Sequence, residues 1–237
     1  MNIEVLENVD SVADRAAGII AERARAAVAA RGRFVMAVSG GHTPWVMLRK
    51  LAMDALPWSA VHVVQVDERV APAGHPDRNL THLRESLLDH SPLPSGQLYP
   101  MAVESPDLEI AAAQYVATLG QIAGSPPVLD LVHLGLGPDG HTASLVPGDP
   151  VLDIEDADVA LTGPYQGRRR MTLTYSIINR SRSVLWVVTG SEKATALSRL
   201  LSGDHSIPAG RIRAEQALVI ADQAAAEQLM AEPRKRA

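Results

Sequence analysis

His141 closes the run Leu131-Val-His-Leu-Gly-Leu-Gly-Pro-Asp-Gly-His141, and Thr142-Ala-Ser-Leu-Val-Pro-Gly148 follows it. A histidine titrates near neutral pH, so at a glycine turn it suits general acid–base work. The chain has eight histidines. None lies at metal-ligand spacing, since neither H-x-x-x-H nor H-E-x-x-H occurs. There is no cysteine and no G-x-S-x-G elbow, so a covalent acyl-enzyme is not indicated. The simplest chemistry left for His141 is activation of a water. His133, inside the apolar run, reads as a satisfied core residue.

Three further clusters carry chemistry. Ser39-Gly40-Gly41-His42-Thr43-Pro44 leads into a helical pattern. Backbone N–H groups at a helix start, loosened by two glycines, form a seat for a phosphate or carboxylate. The G-x-x-x-x-G-K-[ST] nucleotide loop is absent. Gly135-Leu-Gly137-Pro-Asp-Gly140 does match G-x-G-x-x-G, but Asp139 would set a negative charge beside a pyrophosphate. The acids about 20 positions on, Glu155 and Asp156, fall in a loop-like stretch rather than at a strand end. Asp67-Glu68-Arg69 offers Asp67 as the inward group, with its neighbours expected in solvated pairs. Asp77-Arg78-Asn79 precedes a helix and either caps it or closes over a ligand. Arg170 and Lys193 are candidate cations for a phosphate; ordinary surface charge is the alternative.

These groups need a scaffold. Apolar, β-branched runs at 34–38, 61–66, 129–136, 183–188 and 217–221 read as strands buried on both faces. Helical patterns cover 9–31, 44–55, 80–89, 107–123, 191–202 and 222–231. Thr43, Ser191 and Asp222 are the expected N-caps, Pro44 the expected first helical residue, and Thr142-Ala143-Ser144 a further helix start. Residues 91–106, 146–169 and 203–213 read as loops, with a short edge strand at 159–161. Alternating elements predict an α/β fold: an open, mostly parallel sheet with helices on both faces. The first three strands end at the three clusters, so one sheet edge should gather them.

Composition narrows the class. The chain has 237 residues, 46% of them apolar and 3% aromatic, and a net charge of −5. One α/β domain over 1–232 is expected, with a disordered basic tail at 233–237. The negative balance argues against a nucleic-acid surface. No leader pattern and no apolar run near the ~20 residues of a membrane span is present, so the expected setting is soluble and cytoplasmic.

Taken together, the clusters resemble the 6-phosphogluconolactonases, a branch of the fold group shared with glucosamine-6-phosphate deaminase and ribose-5-phosphate isomerase. The resemblance rests on Ser39-Gly-Gly-His-Thr-Pro44, Val66-Asp-Glu-Arg69, Gly135-Leu-Gly-Pro-Asp-Gly-His-Thr-Ala-Ser144, Arg170-Met-Thr172, Val188-Thr-Gly-x-x-Lys193, Ile207-Pro-Ala209 and Asp222-Gln-Ala-Ala225. It implies a Rossmann-like sheet and hydrolysis of 6-phosphoglucono-δ-lactone in the oxidative pentose phosphate pathway, with no cofactor and no metal. It makes His141 the base for the attacking water, with Asp67 orienting that histidine or the substrate hydroxyls. Arg69 would bind the sugar. Gly40, Gly41, His42 and Thr43 would seat the phosphate, with Arg170 and Lys193 neutralising it. Gly137, Asp139, Gly140 and Asn79 join the implied substrate-binding residues. Arg78 stands where the family often has a small polar residue. The implied partner is a small phosphorylated sugar lactone, without nucleic acid or membrane, for a monomer or homodimer. Two rivals remain: deaminase-like aldose–ketose chemistry, which pairs the histidine with a nearby Glu, and a non-catalytic sugar-phosphate module. Thr142 to Gly148 contains no acid, which favours hydrolysis over the first. A DNA-binding helix-turn-helix, expected of many such modules, has no room before the first predicted strand.

Overall fold

Phe34–Val38 (β2), Leu131–Leu134 (β6) and Val184–Val188 (β9) are buried at every residue, as central strands of a parallel sheet must be when both faces are covered. In the computed structural model, which describes residues 1–231, they pair side by side. Asn2–Leu6 (β1), Ala217–Asp222 (β10), Val61–Gln65 (β3) and Leu98–Tyr99 (β5) complete a seven-stranded sheet in the order β1-β10-β9-β6-β2-β3-β5. All six pairings are parallel. The basic tail expected at 233–237 lies outside the described residues.

Alternate residues of β2 face opposite cores. Phe34, Met36 and Val38 pack with Val9–Arg31 (α1), His42–Ala52 (α2) and Asn79–Ser86 (α3). Val35 and Ala37 face Leu108–Ala123 (α4), Tyr175–Arg180 (α5) and Ala194–Leu201 (α6). A final helix, Glu227–Ala231 (α7), lies against α6.

A second, small sheet sits at the carboxyl edge. Asp67–Arg69 (β4), Arg170–Leu173 (β8) and Val159–Leu161 (β7) pair antiparallel in the order β4-β8-β7. This corrects the run at 61–66 read as one strand ending before a charged loop: Asp67 opens a new strand. Arg170 begins β8, a strand not expected from the sequence, and lies opposite Arg69.

Several local expectations change as well. Gly41 is the N-cap of α2, and Thr43 sits inside the first turn with its hydroxyl 2.7 Å from that of Thr189. Ser191–Lys193 form a 3-10 turn behind Gly190, so Ser191 caps nothing and α6 starts at Ala194. Asp222 ends β10, and its carboxylate accepts from the Ala225 and Gly190 N–H groups. It thereby ties two loops together instead of starting a helix there. Thr142-Ala143-Ser144 forms a tight turn closed by Leu145, with Ala143 at φ 53°. The side chains hold that turn in place: Thr142 donates to the Gly135 carbonyl and Ser144 to Asp67.

Candidate active site

The chain leaves β2 toward β3 and β5, then returns with β6 on the other side of β2. At such a switch point the loops after two neighbouring strands diverge and leave a crevice outside their carboxyl ends. Ser39 to Thr43 follow β2 and Gly135 to His141 follow β6. Between them opens a cleft of about 330 Å³. Gly40, Gly41, His42, Thr43, Asp67, Arg69, Asn79, Gly137, His141, Arg170 and Lys193 all line it. Asp139 and Gly140 stand behind the wall, where Gly140 packs against Ile207 and accepts from the Ala209 N–H.

His141 is held from its own turn. Asp139 Oδ1 lies 2.6 Å from His141 Nδ1 and accepts from the His141 backbone N–H at 3.1 Å. A carboxylate at Nδ1 fixes the proton there and leaves the Nε2 lone pair available; Nε2 has no hydrogen-bond partner among the described residues. Partial burial pushes Asp139 up, but the His141 backbone N–H, the His141 charge and its ring N–H outweigh this. The carboxyl therefore sits below its usual range. The acid in contact with His141 is thus Asp139 and not Asp67. Gly137 leaves room for this pair, because a Cβ there would lie 2.0 Å from His141 Nδ1.

Asp67 sits across the cleft and is 5% exposed. Its Oδ2 accepts from Ser144 Oγ at 2.6 Å and its Oδ1 from Asn79 Nδ2 at 3.3 Å. Burial pushes its carboxyl up, opposed by the Ser144 hydroxyl and the charges of Arg69 and Arg170. Arg69 Nη1 donates to Asn79 Oδ1 and to the Asp77 carbonyl. Arg170 is 4% exposed, and its Nε has no partner among the described residues. A buried guanidinium that lines a cleft and is only partly satisfied is a ready anion receptor. Burial lowers its pKa, with Asp67 opposing. At the other wall stands the N-terminus of α2, whose first-turn N–H groups lie beyond the reach of intrahelical bonds, and Gly41 takes φ 135° to turn the chain into that helix. Lys193 completes the ring of cations.

Glu68 is not in a solvated pair. It is fully buried, and its carboxylate accepts from the backbone N–H groups of Arg69, Asn79 and Leu80 and from Gln65 Nε2. Arg78, 2% exposed, brings Nε to 3.1 Å from Glu68 Oε2 and donates to the Ala71 carbonyl. Glu68 therefore caps α3, and Asp77 does not; Asp77 pairs instead with Arg168 at 2.7 Å. Among the described residues no group of three His, Asp or Glu is placed to hold a metal ion, and no helix is long and apolar enough to cross a membrane.

A family model described as glucosamine-6-phosphate isomerases/6-phosphogluconolactonase matches residues 7–221. The chain belongs to this family. Within the family it is similar to the 6-phosphogluconolactonase of Synechocystis sp., 38% identical over 96% of this chain and 98% of that one. It is also 38% identical to that of Mycobacterium tuberculosis, over 82% and 84% of the two chains. Among solved structures, the 6-phosphogluconolactonases of Thermotoga maritima and Trypanosoma brucei superpose with TM-scores of 0.83 and 0.85. Their identities are 29% and 27%, covering 93% and 96% of this chain and 98% of each of theirs. A monomeric glucosamine-6-phosphate deaminase superposes as well, at TM-score 0.84 over 96% of this chain and 99% of that one. Its 18% identity speaks for the shared family fold alone.

Proposed function

We propose that this chain hydrolyses 6-phospho-D-glucono-1,5-lactone to 6-phosphogluconate in the cytoplasmic pentose phosphate pathway, with His141 activating the water. The observation that carries the mechanism is the Asp139–His141 pair, which occupies Nδ1 of a histidine lining a cleft bounded by a helix N-terminus and three cations. His141 Nε2 takes a proton from water as the oxygen adds to the lactone carbonyl. The tetrahedral adduct then collapses with cleavage of the bond from C1 to the ring oxygen. The proton held by His141 passes to that leaving oxygen, so the base is restored and the ring opens to the acid. Arg69 is suited to the carbonyl side and Asp67 to the sugar hydroxyls. The N–H groups at Gly41 to Thr43, with Arg170 and Lys193, suit the phosphate. The curated lactonase relatives and the absence of an acid from Thr142 to Gly148 favour this reading over deamination.

The test is proton release from lactone generated in situ out of glucose 6-phosphate, against an uncatalysed control. His141→Ala is expected to lower kcat by roughly 10²–10⁴, as removal of a general base does. Lys193→Ala and Arg170→Ala are expected to raise KM more than they lower kcat. Near-normal turnover in His141→Ala removes the histidine mechanism. Ammonia release from glucosamine 6-phosphate at a rival rate selects deamination, and 6-phosphogluconate binding without turnover selects a sensor.

A further inference from the structure

The β7–β8 connection is a hairpin whose two-residue tip, Gln166-Gly167, has φ 51° and 78°. Tyr165 and Arg168 flank the tip and exchange both backbone hydrogen bonds. Two central residues at positive φ match the twist of paired strands, so this tip is a stiff platform. It carries Tyr165 to the rear of the Asp139–His141 pair. The phenol donates to Asp139 Oδ2 at 3.3 Å, and the ring meets the imidazole edge-on at 5.5 Å between centroids. The Arg170 guanidinium lies 4.9 Å from the Tyr165 ring centroid, and its Nη2 donates to Gln166 Oε1.

We propose that Tyr165 is a positioning residue for the hydrolysis: it locks the Asp139 carboxylate, and through it the His141 ring, in the orientation that aims Nε2 at the cleft. This rests on the reading of His141 as the base. Asp139 Oδ1 already serves His141 twice, through the ring and the backbone. Oδ2 is bonded only by Tyr165 among the described residues, so the phenol opposes rotation of the carboxylate. A two-point hold on the orienting acid narrows the angles the imidazole samples, and misaimed bases lose rate steeply. Tyr165 is half-buried and is not part of either core, so core packing does not explain its presence beside the hairpin tip. Nothing near it in sequence announces the role, because its partners lie on the loop after β6.

Steady-state kinetics of Tyr165→Phe, Asp139→Asn and the double variant test this, with thermal unfolding checking each fold. Tyr165→Phe keeps the ring and removes one hydrogen bond, so kcat is expected to fall about fivefold with KM unchanged. In the Asp139→Asn background the same change is expected to have no effect, because the pair it acts on is already broken. An unchanged kcat in Tyr165→Phe, a loss confined to KM, or an equal loss in both backgrounds overturns the proposal. If His141→Ala remains active, the underlying mechanism fails instead, and the two failures are read from different variants.

Discussion

At the residue scale, the Asp139–His141 contact makes the site depend on a missing side chain. Gly137 approaches the imidazole so closely that an alanine Cβ would lie 2.0 Å from Nδ1 and 2.7 Å from Asp139 Oδ1. Gly137→Ala is therefore expected to swing the ring off Asp139 and lower kcat by roughly 10²-fold, the scale of a displacement near 1 Å in a catalytic group. Substrate affinity should be nearly kept, since the proposed phosphate seat is on α2. Kinetics with a parallel melting curve check this; a KM effect at constant kcat would place the strain elsewhere. His141 and the Ser39–Thr43 loop were legible in the sequence because each follows an apolar run, whereas Arg69 entered only through the family resemblance. The partner of His141 was not legible. Asp67 and Asp139 are both acids at strand ends, and only the fold shows that Ser144 and Asn79 claim the first. Tyr165 was invisible for the same reason, being delivered by a hairpin distant in sequence.

At the scale of elements, the strands that were hard to see are the ones that hold the site. Strand β4 is three residues, all charged, and β8 begins with an arginine; neither carries the apolar run that marks a buried strand. Their signal lies in pairing across the small sheet, which no local window contains. The long parallel strands were legible because continuous burial demands continuous apolar sequence. Glu68 is the joint between β4 and α3. It caps the helix through two backbone N–H groups and neutralises Arg78 inside the protein. Breaking one partner of a buried pair strands the other charge. Glu68→Gln is thus expected to lower unfolding free energy by about 3–5 kcal/mol and to loosen Arg69 and Asn79, which border the cleft. Urea unfolding measures the first effect. Adding Arg78→Met should recover part of the loss, and a double variant no more stable than Glu68→Gln would remove Arg78 from the explanation.

At the scale of the whole molecule, one buried base couples the fold to pH. His133 lies in β6, between β9 and β2 at the centre of the sheet, and is fully buried. Its Nδ1 accepts from the Ser39 N–H, and Nε2 has no partner among the described residues. Burial pushes its pKa down to about 3, from the ordinary 6.5. Below pH 6.5 the unfolded chain takes up a proton that the folded protein refuses until about pH 3. Stability therefore falls on acidification across that window, by an amount on the order of 5 kcal/mol at its lower end. Above pH 6.5 the histidine is neutral in both states and contributes no slope. Because the strand is central, the sheet as a whole should fail, not one edge. His133→Leu removes the titration but also the acceptor for Ser39, which costs about 1–3 kcal/mol at every pH. The informative quantity is thus the slope. Urea unfolding from pH 7 to pH 4 should show the variant's stability falling less steeply, by up to one proton's worth. Coincident slopes would show that the acid sensitivity comes from the carboxylates instead.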